Sequence, residues 1–307
     1  MSLRKLFGRI VRRGRGPRGG DAPQAFAAGE FYSPIVNVAE VLTGPDVDRL
    51  WPSNPHDPPG IDVRSAQQLA LLNELAAYQL HPDASPGDAA YDPLNDQFPP
   101  HDAHLLYAMI RKLAPKRMVE VGCGWSTTVT AAAIRDGDLA TELTCIEPYP
   151  RPFLRTMTDM LTLREEKVEH TPMNVFNALG PGDVLFIDSS HVVKTGSDVA
   201  HQFLEILPRL ADGVIVHVHD IFLPEEYPKG WVRNGFNWNE QYLLQAFLID
   251  NARAHVLAMN RWLALRHPQS VIDAFGAMDL NGSSFWFVIG AEDSAEHLLK
   301  PGGRART

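Results

Sequence analysis

Four residues at the ends of two apolar runs have the types and spacing for proton-transfer or metal chemistry. Asp183-Val-Leu-Phe-Ile-Asp188 closes on an acid and continues Ser189-Ser190-His191, and Val214 to Val218 closes on His219-Asp220. Short apolar runs bounded by polar residues predict buried strands over 183–188 and 213–219. If the strands are neighbours, their ends present Asp188, His191, His219 and Asp220 together. Two compatible chemistries fit that set. His191 can act as a general base on a hydroxyl, because an imidazole titrates near neutral pH. Alternatively Asp188 and Asp220, with His219, hold a divalent metal that orients a hydroxyl and lowers its pKa. Carboxylates alone suit Mg²⁺, and an added imidazole shifts the preference toward Mn²⁺, Fe²⁺ or Zn²⁺. The plainer alternative for both acids is helix capping and loop hydrogen bonding, and for His191 a bond to backbone.

A second stretch must position a ligand against these groups. Met118 to Val121 predicts a buried strand, Gly122-Cys123-Gly124 breaks it, and Trp125 to Arg135 reads as a helix. Strand, glycine turn and helix together bring backbone close to a nucleotide-like ligand, and a side chain at Gly122 or Gly124 would block that approach. The pattern Glu120-x-Gly122-x-Gly124 is not the six-residue dinucleotide fingerprint, and it lacks the lysine of a triphosphate loop. Thr144-Cys-Ile-Glu147 is another short apolar run ending in an acid, 23 residues after Gly124. That is near the spacing at which a second-strand acid meets ribose hydroxyls.

On these residues the chain resembles the class I S-adenosylmethionine (SAM) methyltransferases. The resemblance implies a Rossmann-like α/β fold with a mostly parallel sheet of about seven strands. It also implies that SAM is held by Glu120, Gly122, Cys123, Gly124, Ser126, Thr127, Glu147 and Asp188. Asp188-Ser-Ser-His191 with His219-Asp220 narrows it to the branch containing the macrocin and mycinamicin sugar O-methyltransferases. There an acid closing the fourth strand and acids closing the fifth bind a metal, and in some members a His three residues after the first acid is the base. By that resemblance Asp188 and His191 are catalytic, and Asp188, His219 and Asp220 are metal ligands. This chain departs in having His219-Asp220 where those enzymes have two acids, which leaves the metal open among Mg, Mn, Fe and Zn. The phrases Phe186 to Asp198 and His217 to Phe222 also resemble an uncharacterised bacterial subgroup of methyltransferases, which names no acceptor.

The rest of the chain sets bounds. Its 307 residues, 45% hydrophobic and 21% charged, are ordinary for a soluble globular protein. No apolar run approaches the roughly 18 residues of a membrane span, and Cys123 and Cys145, the only cysteines, form neither a disulfide scaffold nor a metal motif. A cytoplasmic location is expected. Residues 1–20 carry seven Lys/Arg and no acid, so the remainder holds −16 of a formal −9 total. An acidic body argues against nucleic acid as a partner. Leu3, Leu6, Phe7, Ile10 and Val11 give the basic segment one apolar face, suited to weak contact with an anionic membrane surface or to a flexible tail.

The expected organisation is a basic tail over 1–30 and a loop and helical extension over 31–100 that serves as lid or oligomer contact. The methyltransferase domain follows over 101–292, with an acceptor-site insertion at 222–239, and a tail over 293–307 ends the chain. Helices are predicted at 64–80, at 102–113 with Asp102 as cap, and at 125–135, 151–163, 197–210 and 239–250. In the last of these, Tyr242, Leu243, Ala246, Phe247 and Ile249 form the apolar face. Strands are predicted at 118–121, 143–147, 167–171, 183–188, 213–219, 255–259 and 285–289. Lys194-Thr-Gly-Ser197 reads as a helix start rather than a phosphate loop. The function expected is O-methylation of a hydroxyl on a small molecule or glycan. The rivals are N-methylation without metal and a SAM-binding partner subunit without activity. A homo-oligomer is a further expectation.

Overall fold

The computed structural model describes residues 25–81 and 90–293. The amphipathic basic segment and the tail beyond 293 lie outside them. The described residues divide into two compact units, one drawn from Met1–Ser53 and Tyr227–Asn237 and the other from Asn54–Glu226 and Trp238–Thr307. In the smaller unit, helices α1 (Val38–Thr43), α2 (Val47–Leu50) and α8 (Lys229–Arg233) are short, and Trp51 donates its indole N–H to the Tyr227 carbonyl at 3.0 Å.

The larger unit is built on seven strands: β1 Arg117–Val121, β2 Glu142–Ile146, β3 Thr162–Arg164, β4 Val184–Ile187, β5 Ile215–Val218, β6 Ala254–Met259 and β7 Phe285–Ile289. They lie in the order β3-β2-β1-β4-β5-β7-β6. All pairs are parallel except β5–β7 and β6–β7. This is the mostly parallel, Rossmann-like sheet expected. Its central strands are buried along their length, which is why they read as continuous apolar runs rather than alternating ones. Helices α3 (Ser65–Leu75), α4 (Pro100–Leu113), α5 (Trp125–Asp136), α6 (Asn174–Asn177), α7 (Asp198–His201), α9 (Glu240–Leu248), α10 (Asn260–Arg266) and α11 (Pro268–Phe275) complete the unit. The strand order reverses between β1 and β4, and ligands of such sheets sit outside the carboxyl ends at that switch.

Five expectations are corrected. The helix over 151–163 and strand over 167–171 are replaced by a 3₁₀ turn (Pro152–Thr156), β3, and a second 3₁₀ turn (Val168–His170). Leu154, Met157 and Leu161 have helical spacing, but Thr162 to Arg164 finds hydrogen-bond partners on β2 instead. The predicted helix over 197–210 starts at Ser197, whose hydroxyl accepts from Ala200 N–H. It then widens into a π turn at Gln202–Ile206 and tightens at Pro208. On α9 the fully buried residues are Glu240, Gln241, Leu244 and Leu248, while Tyr242 and Ile249 are exposed. Polar side chains point inward there because they have partners: Gln241 accepts from Phe222 N–H at 2.6 Å and donates to the Glu225 carbonyl at 2.9 Å. Finally, Asp102 caps nothing. Pro99 is the N-cap of α4, and Asp102 is wholly buried inside its first turn.

Candidate active site

At the sheet's carboxyl edge a cavity of about 380 Å³ opens between the ends of β1, β2 and β4. Gly122, Glu147, Tyr149, Lys167, Asp188 and Asp198 are among the residues lining it. The two glycines of the turn have different jobs. Gly122 has φ +82°, and a Cβ there would lie 1.7 Å from the Asp188 carbonyl oxygen, so glycine lets the β1 and β4 loops touch. A Cβ on Gly124 would meet nothing within 4 Å, and its N–H donates to Thr127 Oγ1 at 3.1 Å.

The acid of the first strand serves the protein interior. Glu120 is fully buried, and its Oε1 accepts from Ser126 Oγ at 2.6 Å and Thr127 Oγ1 at 2.9 Å. Its Oε2 is buried with no partner among the described residues. Burial pushes the carboxyl up to about 8; the two hydroxyls oppose this, and the charges of Asp188 and Glu147 add to it. Glu120 is therefore a neutral acid at pH 7. Ser126 and Thr127 turn their hydroxyls toward Glu120. Cys123 is buried, burial raises its thiol pKa, and its N–H donates to Glu147 Oε2 at 3.2 Å. Glu147 Oε1 accepts from Tyr149 N–H at 2.7 Å. The Glu147 carboxylate is thus fixed on the cavity wall by two backbone donors, with lone pairs to spare for hydroxyls.

Asp188 joins this cavity to the cluster foreseen at the ends of β4 and β5. His191 Nε2 lies 3.5 Å from Asp188 Oδ1 and 3.4 Å from Asp220 Oδ2, and His191 Nδ1 lies 2.8 Å from Glu240 Oε2. His219 Nδ1 lies 3.3 Å from Asp188 Oδ1 and 3.6 Å from Asp220 Oδ1, and its Nε2 lies 3.1 Å from Asp102 Oδ2. His191 and Asp220 both hold left-handed backbone, at φ 59° and 58°. Such angles cost about 1–3 kcal/mol each and persist only where surroundings enforce them. Here the His191 carbonyl accepts from Asn239 N–H and Glu240 N–H, and Ser283 Oγ donates to Asp220 Oδ1 at 3.1 Å. Trp238 packs on the His191 ring at a centroid distance of 4.3 Å.

Charge follows from these contacts. Burial works against an imidazolium at His191, but the Glu240 hydrogen bond and the Asp220, Glu240 and Asp188 charges raise its pKa to about 9. His219 is held well above its ordinary value: burial opposes this, and Asp220, Asp188 and Asp102 outweigh it. Burial acts to raise both Asp188 and Asp220. The two imidazoles, His219 foremost, carry Asp188 below its usual value, while Asp220 stays raised. The ligand atoms of Asp188, His191 and Asp220 lie within 4.8 Å of one another, close enough to share a metal ion. His219 has a carboxylate partner at each ring nitrogen, so in this structure it supports Asp188 from behind.

Two residues of the site escaped the sequence reading. Asp102 accepts from Ser283 N–H and Ser284 N–H at 2.8–2.9 Å and from Asn260 Nδ2 at 2.7 Å while holding His219. Glu240, with no exposed surface, orients His191. Both sit in helices whose amphipathic patterns look ordinary. The one available signal was an acid in a first helical turn, which helix-dipole and capping arguments already explain.

Residues 119–221 match the family model described as "Methyltransferase domain". That segment runs from β1 to just past β5 and contains the glycine turn, Glu147, Asp188, His191, His219 and Asp220. A curated protein of Archaeoglobus fulgidus, described as uncharacterized, is 31% identical over 137 residues, or 42% of this chain. The chain spans 61% of that relative's length. Among solved structures, the SAH-bound methyltransferase PaMTH1 of Podospora anserina aligns with TM-score 0.39 and 15% identity over 73% of this chain and 88% of its own. A putative O-methyltransferase of Klebsiella pneumoniae aligns with TM-score 0.39 and 13% identity over 76% of this chain and 91% of its own.

Proposed function

We propose that this protein transfers a methyl group from SAM to a hydroxyl of a small molecule or glycan. One observation carries the reading: Asp188 both lines the cavity beside the glycine turn and faces His191, so an imidazole–carboxylate pair adjoins a cofactor-sized space. The residues fit SAM. Glu147 offers a fixed carboxylate for ribose hydroxyls, Gly122 lines the cavity without a side chain, and about 380 Å³ is within the range of small-molecule sites. When bound, SAM supplies a sulfonium-activated methyl. This chain's residues hold the acceptor in line with it and take its proton.

His191 is placed for that proton, since Glu240 fixes Nδ1 and leaves Nε2 facing Asp188 and Asp220. With a pKa of about 9, it is protonated at pH 7 until a neighbouring carboxylate is compensated. In the alternative arrangement the donor set Asp188, Asp220 and His191 would hold a divalent metal that acidifies the hydroxyl, and His191 Nε2 is then a ligand rather than the base. The sequence resemblance to the macrocin and mycinamicin branch favours a sugar hydroxyl as acceptor.

The test is methyl transfer from labelled SAM to a panel of sugars and alcohols, with SAM affinity measured alongside by calorimetry. Glu147→Ala should weaken SAM binding. Asp188→Asn and His191→Ala should keep most of it and lose about 10²–10⁴ in rate. Full turnover in both variants on the true acceptor would sink the O-methyl mechanism.

A further inference from the structure

The smaller unit has little interior of its own. Among its described residues Tyr227 is the one buried side chain, and no residue of α1, α2 or α8 is buried. Just ahead of α1 the chain displays apolar surface instead of hiding it: Phe31 is 94% exposed and Tyr32 57%. These rings form a cluster, with the Tyr32 centroid 5.2 Å from Phe31 and 5.2 Å from Phe26. The turn that carries them is closed by its own backbone. Gly29 N–H donates to the Ile35 carbonyl at 2.9 Å, and Ser33 N–H donates to the Glu30 carbonyl at 2.8 Å. Gly29 holds φ +82°, and a Cβ there would come within 2.9 Å of the Asn37 side chain. Single exposed apolar residues are ordinary, but neighbouring aromatics on a closed turn mark a contact surface.

Charge decides what covers that surface. Residues 1–20, directly before the turn, carry seven Lys/Arg and no acid, and residues 21–39 add only Asp21 and Glu30. Leu3, Leu6, Phe7, Ile10 and Val11 recur among those bases at helical spacing. A stretch that is both basic and apolar suits the boundary of an anionic bilayer, where bases meet lipid phosphates and apolar side chains enter the acyl edge. Exposed Phe and Tyr suit the same depth, since Phe is apolar throughout and Tyr has one wet end. A second copy of this chain fits the surface less well, because a symmetric contact through it would bring two such basic stretches together. The acidic remainder is repelled by an anionic surface only within a Debye length, about 8 Å at physiological ionic strength. The contact is peripheral, since no helix of the described residues is long and apolar enough to cross a membrane.

We propose that the Phe31–Tyr32 turn is a docking surface for a bilayer of anionic phospholipid, with the basic residues before it binding the headgroups. The docking is separate from methyl transfer and does not depend on it. Co-sedimentation of the full chain with phosphatidylcholine vesicles, with and without phosphatidylserine, tests it. The protein should sediment with the phosphatidylserine vesicles, stay in solution with the neutral ones, and be released by about 0.5 M salt. The double variant Phe31→Ser, Tyr32→Ser should bind at least about tenfold weaker; both side chains are exposed, so its melting temperature should stay that of wild type. Arg12→Gln with Arg13→Gln should weaken binding roughly twentyfold, each base near the surface being worth about fivefold. Absence of binding to phosphatidylserine vesicles overturns the proposal, and so does equal binding to neutral ones. Undiminished binding by the double Ser variant overturns it too, since the turn then takes no part. A wild-type dimer in light scattering that the same variant breaks also overturns it, since a second copy then covers the turn.

Discussion

The glycine-turn end of β1 and the imidazole–carboxylate cluster beyond β4 and β5 meet at Asp188, yet they treat a buried acid in opposite ways. Glu120 and Asp102 are equally inaccessible. Glu120 receives two hydroxyl donors and is raised to about 8, a neutral acid. Asp102 receives an imidazole, an amide and backbone N–H groups, and is held below the usual carboxylate range although burial pushes the other way. Burial sets the penalty for charge, and the number and charge of the donors decide whether it is overcome. At the first end a buried acid is left neutral, and the second keeps several charges close together.

Substitutions can break this contrast or sharpen it. The largest effect should come from Gly122→Ala. Its φ of +82° and the 1.7 Å approach to the Asp188 carbonyl leave no room for a methyl, so a loss of about 4 kcal/mol or failure to fold is expected. Urea unfolding reads it, and a near-native midpoint would show that the β1–β4 contact can shift.

Asp102→Ala comes next. It strands the His219 imidazolium together with the Ser283 and Ser284 N–H groups, and removing one partner of a buried ion pair costs about 3–5 kcal/mol. A loss under about 1 kcal/mol would mean that His219 is not charged.

Glu120→Gln tests the neutral acid. In wild type the folded pKa, about 8, lies above the ordinary 4.5, so the folded state binds the extra proton between those values. That contribution to stability is complete below pH 4.5 and is lost as pH rises through 8, with a slope approaching about 1.4 kcal/mol per pH unit. The Gln variant lacks this slope. Parallel stability–pH curves for the two proteins would show that Glu120 is ionised.

Glu240→Gln removes the partner that most raises His191. Imidazole NMR should place the His191 titration lower than in wild type, where it is about 9. The smallest effect on stability belongs to Gly124→Ala. With open space at its Cβ it should stay within about 0.5 kcal/mol of wild type, and its consequence should appear in SAM affinity instead. A large stability loss would put Gly124 alongside Gly122.

The sequence by itself determined the pieces whose physics is local. Strands buried along most of their length appear as short apolar runs, so β1, β2, β4, β5, β6 and β7 were legible within a residue or two. A glycine pair between strand and helix marked the turn, and acids and histidines closing apolar runs marked Asp188, His191, His219, Asp220 and Glu147. Tertiary structure decided what depends on distant partners. β3 exists because Thr162 to Arg164 finds β2, although its neighbours have helical spacing. Gly122 and Gly124 look alike in sequence, and only the approach of Asp188 separates them. Asp102 and Glu240 lie 117 and 49 residues from the histidines they hold. No local pattern reports a hydrogen bond across that separation, and none tells that burial leaves one acid neutral and another ionised, because that outcome depends on donors the fold alone brings together.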